Sequence, residues 1–334
     1  MNGKTKHIIQ VLAFMKYTRP SRILLFFLFL AGSFSLFSQD EETDDETLRS
    51  HPRKSKILTG LYVGSYFANK YSANAYNGYG YDVDGNRNSF DNSLMKFKIQ
   101  NEYGGAWGRD YVAEALGVDQ GRWKFTESDM PFNMRYTPAI MVGVNFKISV
   151  AKRSSLLLNI NGTKLNVEGS FSIQLDNPAS PNPAVNKNTL YFPITGSEQR
   201  LLCQLGFQQL LGGDEKFNFL VEGGLLGTLA KFDRNVIYIN SLQINLYDYT
   251  NQTLYYSPYP TTVRVGFALG AFAGLGVNFD VNAKFIIQFL YTPSYERINI
   301  GTDSKQKLQS AIGIRMYYKF KNAQRVPYDP NQKP

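Results

Sequence analysis

Residues 156–175 read LLLNINGTKLNVEGSFSIQL and contain the pattern that decides the fold. From Leu165 to Leu175, apolar side chains or glycine occupy the odd positions, whereas charged, amide and hydroxyl side chains occupy the even ones. This two-residue period is typical of a β-strand with one apolar and one polar face. Before Gly162 the apolar residues lie on even positions instead, namely Leu156, Leu158 and Ile160. The change of phase predicts a β-bulge near Gly162.

The same alternation recurs along the chain and predicts eight strands. They lie near residues 57–69, 134–150, 155–175, 190–211, 217–232, 259–277, 282–297 and 307–320. Their apolar faces extend for about ten residues, the length that a tilted strand needs to cross a bilayer. Strands of soluble sheets usually have only about five or six residues. The strand length therefore favours a transmembrane β-barrel over a soluble β-sandwich, whose strands also alternate.

The connections between these segments alternate between short and long. Short ones lie near residues 151–154, 212–216 and 278–281, and long ones near 70–133, 176–189 and 233–257. Outer-membrane barrels have short periplasmic turns, long extracellular loops and an even number of strands. The sequence therefore predicts an all-β fold, an eight-stranded antiparallel transmembrane β-barrel over residues 57–320. Residues 70–133 would form a large, partly structured first extracellular loop.

The first 38 residues have the features of a secretory signal peptide. They contain five basic residues and no acidic one, and the apolar run ILLFFLFLAGSFSLF (23–37) ends before Ser38. Either Met1 or Met15 fits as the start of such a peptide, and a membrane-anchoring helix is the alternative. The prediction is export to the cell outer membrane, with residues 39–56 as a charged periplasmic lead and 321–334 as a periplasmic tail.

Charge gives little support to nucleic-acid binding. The chain has a formal charge of +9, and the five basic residues of the signal peptide leave +4 for the rest. Aromatic residues make up 14% of the chain, which suits side chains at membrane interfaces. The expected partners are outer-membrane lipids and other outer-membrane or surface proteins.

Some small outer-membrane barrels are enzymes, but the histidine content of this chain argues against such an activity. Hydrolytic triads and many zinc sites need a histidine. The chain contains only His7, within the signal peptide, and His51, before the first strand. We therefore expect no enzymatic activity and no cofactor, although a mechanism that uses only acidic residues stays open.

Charged residues on the polar strand faces predict a filled lumen, because eight strands enclose a space that side chains can occupy. The predicted polar core consists of Lys147, Glu168, Glu222, Arg264, Lys284 and Arg315. Their mixed signs favour pairing inside the barrel over an ion path.

The first extracellular loop contains features of a small folded lobe. Asp110 and Gly117 flank YVAEAL and predict a short capped helix. YDVDGNRN (81–88) predicts a turn, although a calcium site is an alternative. Aromatic residues are typical anchors of protein interfaces. The predicted partner-binding residues are Tyr76, Tyr79, Tyr81, Trp107, Tyr111 and Trp123. The alternative is that these rings pack the core of the lobe itself.

Three short segments carry a resemblance to a known family. LFSQ (36–39) ends the signal, GIRMYYKF (313–320) forms the last strand, and LYFPI (190–194) is similar to an aromatic-acid-Ile-Pro motif without its acid. The chain resembles the small outer-membrane barrels of Bacteroidota, the PorT-like group. The resemblance implies an accessory or structural subunit of an outer-membrane assembly, such as a secretion complex. A stand-alone barrel that recognises a ligand through its outer loops is the alternative.

Overall fold

The computed structural model describes residues 57–82, 86–151, 153–176, 187–212, 216–246, 265–282, 284–298 and 305–319. The predicted signal peptide, periplasmic lead and C-terminal tail lie outside these residues. Within the described part of the chain, no helix combines the length and the apolar composition needed to cross a membrane.

Eleven strands form a single sheet. They are β1 (Ile57–Phe67), β2 (Trp123–Lys124), β3 (Arg135–Tyr136), β4 (Ala139–Ser149), β5 (Ser154–Asp176), β6 (Lys187–Leu211), β7 (Phe217–Ile239), β8 (Leu242–Asn245), β9 (Val265–Asp280), β10 (Phe285–Ile298) and β11 (Lys307–Tyr318). Eight of them pair antiparallel in the closed order β1–β4–β5–β6–β7–β9–β10–β11, and β11 returns to β1. The predicted eight-stranded antiparallel barrel is confirmed.

The strand register fixes the tilt of the barrel wall. The register can be followed from strand to strand by stepping from each residue to the one directly paired with it. Such a path leaves β9 at Val277, passes once round the ring and returns to β9 at Phe267, ten residues away along the strand. The path passes through Phe289, Ile314, Val63, Val142, Gly162, Leu201 and Leu229. With a rise of about 3.3 Å per residue and about 4.8 Å between strands, this offset gives a tilt of about 40°. Each step along the path therefore climbs about 3 Å towards the loops.

The outer surface of the barrel is apolar. Outward side chains such as Leu61, Leu225 and Leu269 are about 60% exposed, which is unfavourable in water and suits lipid contact. Aromatic rings gather near the short turns, in the contacting pairs Phe217–Phe279, Phe279–Phe289 and Phe285–Tyr318. Rings at this position form the girdle expected where a barrel meets the membrane interface. We call the end with the short turns periplasmic and the opposite end outer.

The predicted bulge near Gly162 is wrong. β5 pairs with β4 and β6 in unbroken register through this residue, and its odd-numbered side chains point inward along the whole strand. The surroundings change instead. Nearer the periplasm, Asn159 points into the polar lumen and Leu158 points outward to lipid. Nearer the outer end, Leu165 also points inward, but there the interior is an apolar core. The bulge lies in β7, where the register with β6 shifts at Ser197 and Glu198.

The outer ends of three strands rise above the rest of the wall. The upper parts of β5, β6 and β7 continue past the last pairing of β4 with β5, and β8 joins β7 after a turn at Asn240. We call these parts the wing. The prediction of a loop from residue 233 is wrong for the described residues up to 246, because β7 and β8 form a hairpin there.

Residues 68–134 form a lobe that packs on the wing. It contains the helices α1 (Lys70–Ala73), α2 (Leu94–Lys96) and α3 (Tyr111–Leu116), a π-helical turn (Phe97–Glu102) and 3₁₀ turns at Asn74–Tyr76 and Glu127–Asp129. The predicted capped helix is confirmed as α3. Asp110 Oδ1 accepts a hydrogen bond from Ala113 N at 2.8 Å, and Gly117 ends the helix with φ +70°.

Candidate interaction site on the extracellular lobe

The lobe and the wing share one apolar core. Lobe residues such as Met95, Ile99 and Val112 are fully buried in the same cluster as Phe171 and Ile194 of the wing. Burial of large apolar side chains is the main favourable contribution to folding. The lobe is therefore a folded platform and not a slack loop.

Tyr76 lies at the centre of this core. Its side chain is fully buried, its ring is 4.6 Å from that of Phe232, and its hydroxyl donates to Glu198 Oε2 at 2.9 Å. Burial raises the pKa of the Tyr76 hydroxyl, because the ionised form would lose its hydration. A Cβ at Gly196 would lie 2.3 Å from the Tyr76 ring, so the wing needs glycine there.

Trp123 and Tyr79 are also structural. Trp123 Nε1 donates to Asp110 Oδ2 at 3.0 Å, so one buried carboxylate caps α3 and holds the indole. The Arg87 guanidinium lies 3.8 Å from the centre of the Tyr79 ring. Trp123, Tyr79 and Tyr76 are each at most 9% exposed. Their predicted role as partner-binding residues is wrong, because the small lobe uses their rings as its own core.

Residues 81–82 lie directly against residues 86–87. Tyr81 and Arg87 make a β-bridge, and Asn86 N donates to Asp82 Oδ1 at 2.7 Å. Tyr81 is partly buried against the lobe core. Residues 83–85 lie outside the described residues, and in the described ranges no three histidine, cysteine, aspartate or glutamate side chains gather as a metal site would require.

Two of the predicted partner-binding residues lie on the surface of the lobe. Trp107 is 70% exposed and Tyr111 is 43% exposed. Trp107 lies in a tight turn in which Gly108 N donates to Gly105 O at 3.2 Å. Both glycines have positive φ, +86° at Gly105 and +144° at Gly108, which other residues rarely adopt. The turn holds the indole away from the lobe core.

Neighbouring side chains orient these two rings. The Phe97 and Trp107 rings pack in an edge-to-face arrangement with 5.6 Å between their centroids, and the Arg109 guanidinium lies 5.3 Å from the centre of the Tyr111 ring. Arg109 also forms a two-point ion pair with Glu114. The hydrogen bond from Arg109 lowers the pKa of the Glu114 carboxyl and raises that of the guanidinium. We call Phe97, Trp107, Arg109 and Tyr111 the aromatic tip.

A charged layer seals the outer end of the barrel beneath the lobe. Arg200, 2% exposed, donates from Nε to Glu198 Oε1 at 2.5 Å and from Nη1 to the Tyr66 hydroxyl at 3.2 Å. The Tyr66 hydroxyl donates to Glu296 Oε1 at 3.3 Å. Tyr136 contacts the other oxygen of Glu198 at 3.0 Å. Periodicity alone did not identify this layer, since it forms from four segments that are distant in sequence.

A second polar layer fills the periplasmic half of the lumen. Arg315 donates to both oxygens of Glu222 at 2.9 and 3.1 Å. Gln208 donates to Glu222 at 3.0 Å and accepts from Lys147 Nζ at 2.7 Å. An apolar layer that includes Leu202 separates this layer from the charged layer above it. A cavity where the two layers meet, lined by Leu202, Gln204 and Arg315 among others, has a volume of about 10 Å³, the space of one water molecule.

The predicted lumen residues divide into three groups. Lys147, Glu222 and Arg315 point into the lumen and are nearly fully buried. The prediction is wrong for Glu168, which lies on the outside of the wing and pairs with Arg135 at 2.9 Å, and for Lys284, which is exposed in a periplasmic turn. Arg264 lies outside the described residues. Besides the charged layer, the prediction missed neutral amides, chiefly Asn159, Gln204 and Gln208.

No protein-family model matches the chain, and no curated protein matches it. Solved structures with a similar fold include Neisserial surface protein A, with TM-score 0.35, 7% identity and coverage of 79% of this chain and 96% of that one. Ail of Yersinia pestis, solved with the heparin analogue sucrose octasulfate, has TM-score 0.29, 10% identity and coverage of 80% and 99%. The translocator domain of the autotransporter NalP from Neisseria meningitidis has TM-score 0.23, 11% identity and coverage of 87% and 95%.

The wall itself identifies the environment. A closed ring of antiparallel strands leaves no open sheet edge, which is the condition for a sheet to cross a bilayer. Its outward side chains are apolar, its lumen is polar, and its periplasmic turns are short. This combination is that of outer-membrane barrels. The protein is an outer-membrane β-barrel.

Proposed function

We propose that the protein is a non-enzymatic subunit of a larger assembly in the outer membrane and that it contacts its partner through the aromatic tip. The exposure of Trp107 is the observation that carries the proposal. Tryptophan, tyrosine and arginine are the residue types that contribute most to protein interfaces, and the tip presents one of each together. An indole that is 70% exposed contributes little to the stability of the lobe beyond its contact with Phe97.

The rigidity of the platform supports the same proposal. Binding costs less when the contacting side chains are ordered before the partner arrives. Phe97 and Arg109 already hold Trp107 and Tyr111, and the turn from Gly105 to Gly108 is closed by a hydrogen bond. The tip is therefore preorganised for a partner surface.

Two features support a subunit without enzymatic activity. Residues 57–334 contain no histidine, the residue type that most often acts as a general acid or base. The resemblance to the PorT-like group of Bacteroidota points to an accessory part of an outer-membrane assembly, including secretion complexes. A stand-alone barrel that binds a ligand through the tip is the second candidate, and the experiment below separates the two.

The proposal is tested by site-specific photo-crosslinking in native membranes. A photoreactive phenylalanine analogue replaces Trp107 in one variant and Phe132 in the other. Phe132 is a matched control, because it is 83% exposed on the lobe but is not part of the tip. We expect a crosslinked protein partner at position 107 and none at 132. Equal crosslinking at both positions would contradict docking through the tip, and the absence of any protein adduct at 107 would favour the stand-alone barrel.

A further inference from the structure

A groove lies on the lipid-facing side of the wall, where β4, β5, β6 and β7 run side by side. Its volume is about 510 Å³, within the usual range of small-molecule sites. Val142, Leu201 and Leu229 line it, and each is at least 45% exposed on the outer surface. Gly162 lies between them, and a Cβ built there would meet no atom within 4 Å. The missing side chain at Gly162 therefore leaves a gap in the apolar wall between these three residues.

The outer end of the groove is basic. Lys164, Gln199 and Lys231 are directly paired across β5, β6 and β7 and also line the groove. They lie two residues beyond Gly162, Leu201 and Leu229 on the same strands, which is about 7 Å along each strand. The apolar gap thus leads directly to two ammonium groups and one amide.

The two lysines differ in their partners. Lys164 Nζ is 3.1 Å from Asp233, which also accepts a hydrogen bond from Ser197 Oγ at 3.0 Å. Among the described residues, no carboxylate lies within ion-pair distance of Lys231. Counting the residues that the structure describes, the groove end therefore has a net positive charge, and Lys231 has no carboxylate partner.

The height of Lys231 above the periplasmic end of the wall places this charge at the outer surface of the membrane. The path of paired residues begins at Val277, near the aromatic girdle, and climbs about 3 Å at each step to the next strand. Leu229 is seven steps along this path and therefore lies about 22 Å above Val277. The apolar band of outer-membrane barrels is about 25 Å tall. Lys231, one outward residue beyond Leu229, therefore lies at the level of the outer lipid headgroups.

We propose that this groove binds a phosphorylated lipid of the outer leaflet, with an acyl chain along Gly162 and the phosphate group on Lys164 and Lys231. Ammonium groups at a membrane surface attract anionic lipid headgroups, and the Gln199 amide adds a hydrogen-bond donor. An acyl chain needs an apolar surface that begins at the headgroup, and the gap at Gly162 with the side chains of Val142 and Leu201 supplies it. The proposal is independent of the partner that the aromatic tip contacts.

Native mass spectrometry of the purified barrel tests the proposal, with phosphorylated lipid A and the same lipid without phosphate as probes. Gly162→Leu fills the groove. Gly227→Leu is its matched control, because Gly227 is also an outward glycine with open space, its nearest atom being Cys203 O at 4.0 Å. Lys164→Gln and Lys231→Gln remove the charges, and Lys305→Gln removes an exposed charge near the outer end of β11, outside the groove.

We expect the phosphorylated lipid to bind the unmodified protein and the Gly227→Leu and Lys305→Gln variants equally. Each groove lysine variant should bind about fivefold more weakly, since one such charge near a membrane surface contributes about 1 kcal/mol. Gly162→Leu should lose the adduct while it still migrates as a folded barrel on gels. Equal binding of the lipid without phosphate, or an unchanged adduct with folded Gly162→Leu, would overturn the proposal.

Discussion

The sequence predicts which strand face is polar and which is apolar. It does not predict whether a given side chain points into the lumen or to the outside of the barrel. Lys147 and Glu168 both stand on the polar face of an alternating strand, yet Lys147 is buried in the lumen and Glu168 is exposed on the wing. The difference is height. Near the periplasm the polar face turns to the lumen because lipid lies outside, whereas in the wing water lies outside and the polar face turns outward.

The buried pair of Glu222 and Arg315 gives the prediction at this scale. Arg315→Met leaves the Glu222 carboxylate without its partner in a dry lumen, and such a change costs about 3–5 kcal/mol. Urea unfolding of the barrel in lipid vesicles, followed by gel mobility, measures the loss. The double variant Glu222→Met with Arg315→Met should be more stable than either single variant, because no unpaired charge remains. A double variant less stable than both would show that the pair is not the source of the effect.

Whole strands were the features that periodicity predicted best. A strand that crosses lipid must present an unbroken apolar face, so each of the eight left a pattern of about ten residues. The phase change in β5 predicts a bulge that the strand does not contain, since periodicity shows that a face is apolar and not whether lipid or protein covers it. The bulge that the structure does contain lies at Asp233 in β7. In β7 the inward side chains have even numbers up to Phe232 and odd numbers from Asn235 onward, and this change is the bulge's only trace in the sequence pattern.

Register predicts how a charge at different depths of the wall affects stability. Val142 and Val265 are 55% and 61% exposed on the apolar face. Val142 lies halfway along the path that climbs from Val277 to Phe267, whereas Val265 pairs with Lys231 at the outer boundary. An arginine costs about 2–4 kcal/mol at the middle of the membrane and about 0–1 kcal/mol near its surface. Val142→Arg should therefore reduce the unfolding free energy far more than Val265→Arg.

The control for this comparison is a change at the same site, Val142→Leu, which should have little effect. A change on the lumen face is less suitable, because a Cβ at Gly143 would lie 2.0 Å from Asn161 Oδ1. Equal losses for Val142→Arg and Val265→Arg in the same unfolding assay would show that the assigned depths are wrong.

At the scale of the whole molecule, two polar layers and the apolar layer between them occupy the lumen, and the lobe covers its outer end. Eight strands enclose a space that side chains can fill, and the cavity of about 10 Å³ holds one water molecule at most. The purified protein in planar bilayers should therefore show no stable, large openings. Ion-selective openings that persist for seconds would mean that the lumen is not filled as the structure describes.

The lobe could be predicted as a folded unit but not as part of the barrel. Its capped helix left a local signal at Asp110 and Gly117, whereas its packing on Phe171 and Phe192 depends on contacts between distant segments. Replacing residues 72–130 by a linker would expose these apolar wing residues to water. A deletion therefore disturbs more than docking, and point variants at the tip are the cleaner test.

Co-purification from native membranes tests the central claim, docking through the aromatic tip, most directly. The tagged protein is compared with Trp107→Ala/Tyr111→Ala and with the matched double variant Phe132→Ala/Tyr191→Ala, which removes two other exposed rings, 83% and 72% exposed. We expect the tip variant to lose its partner proteins and the matched variant to keep them, with both barrels folded. A tip variant that keeps every partner of the unmodified protein would contradict the account.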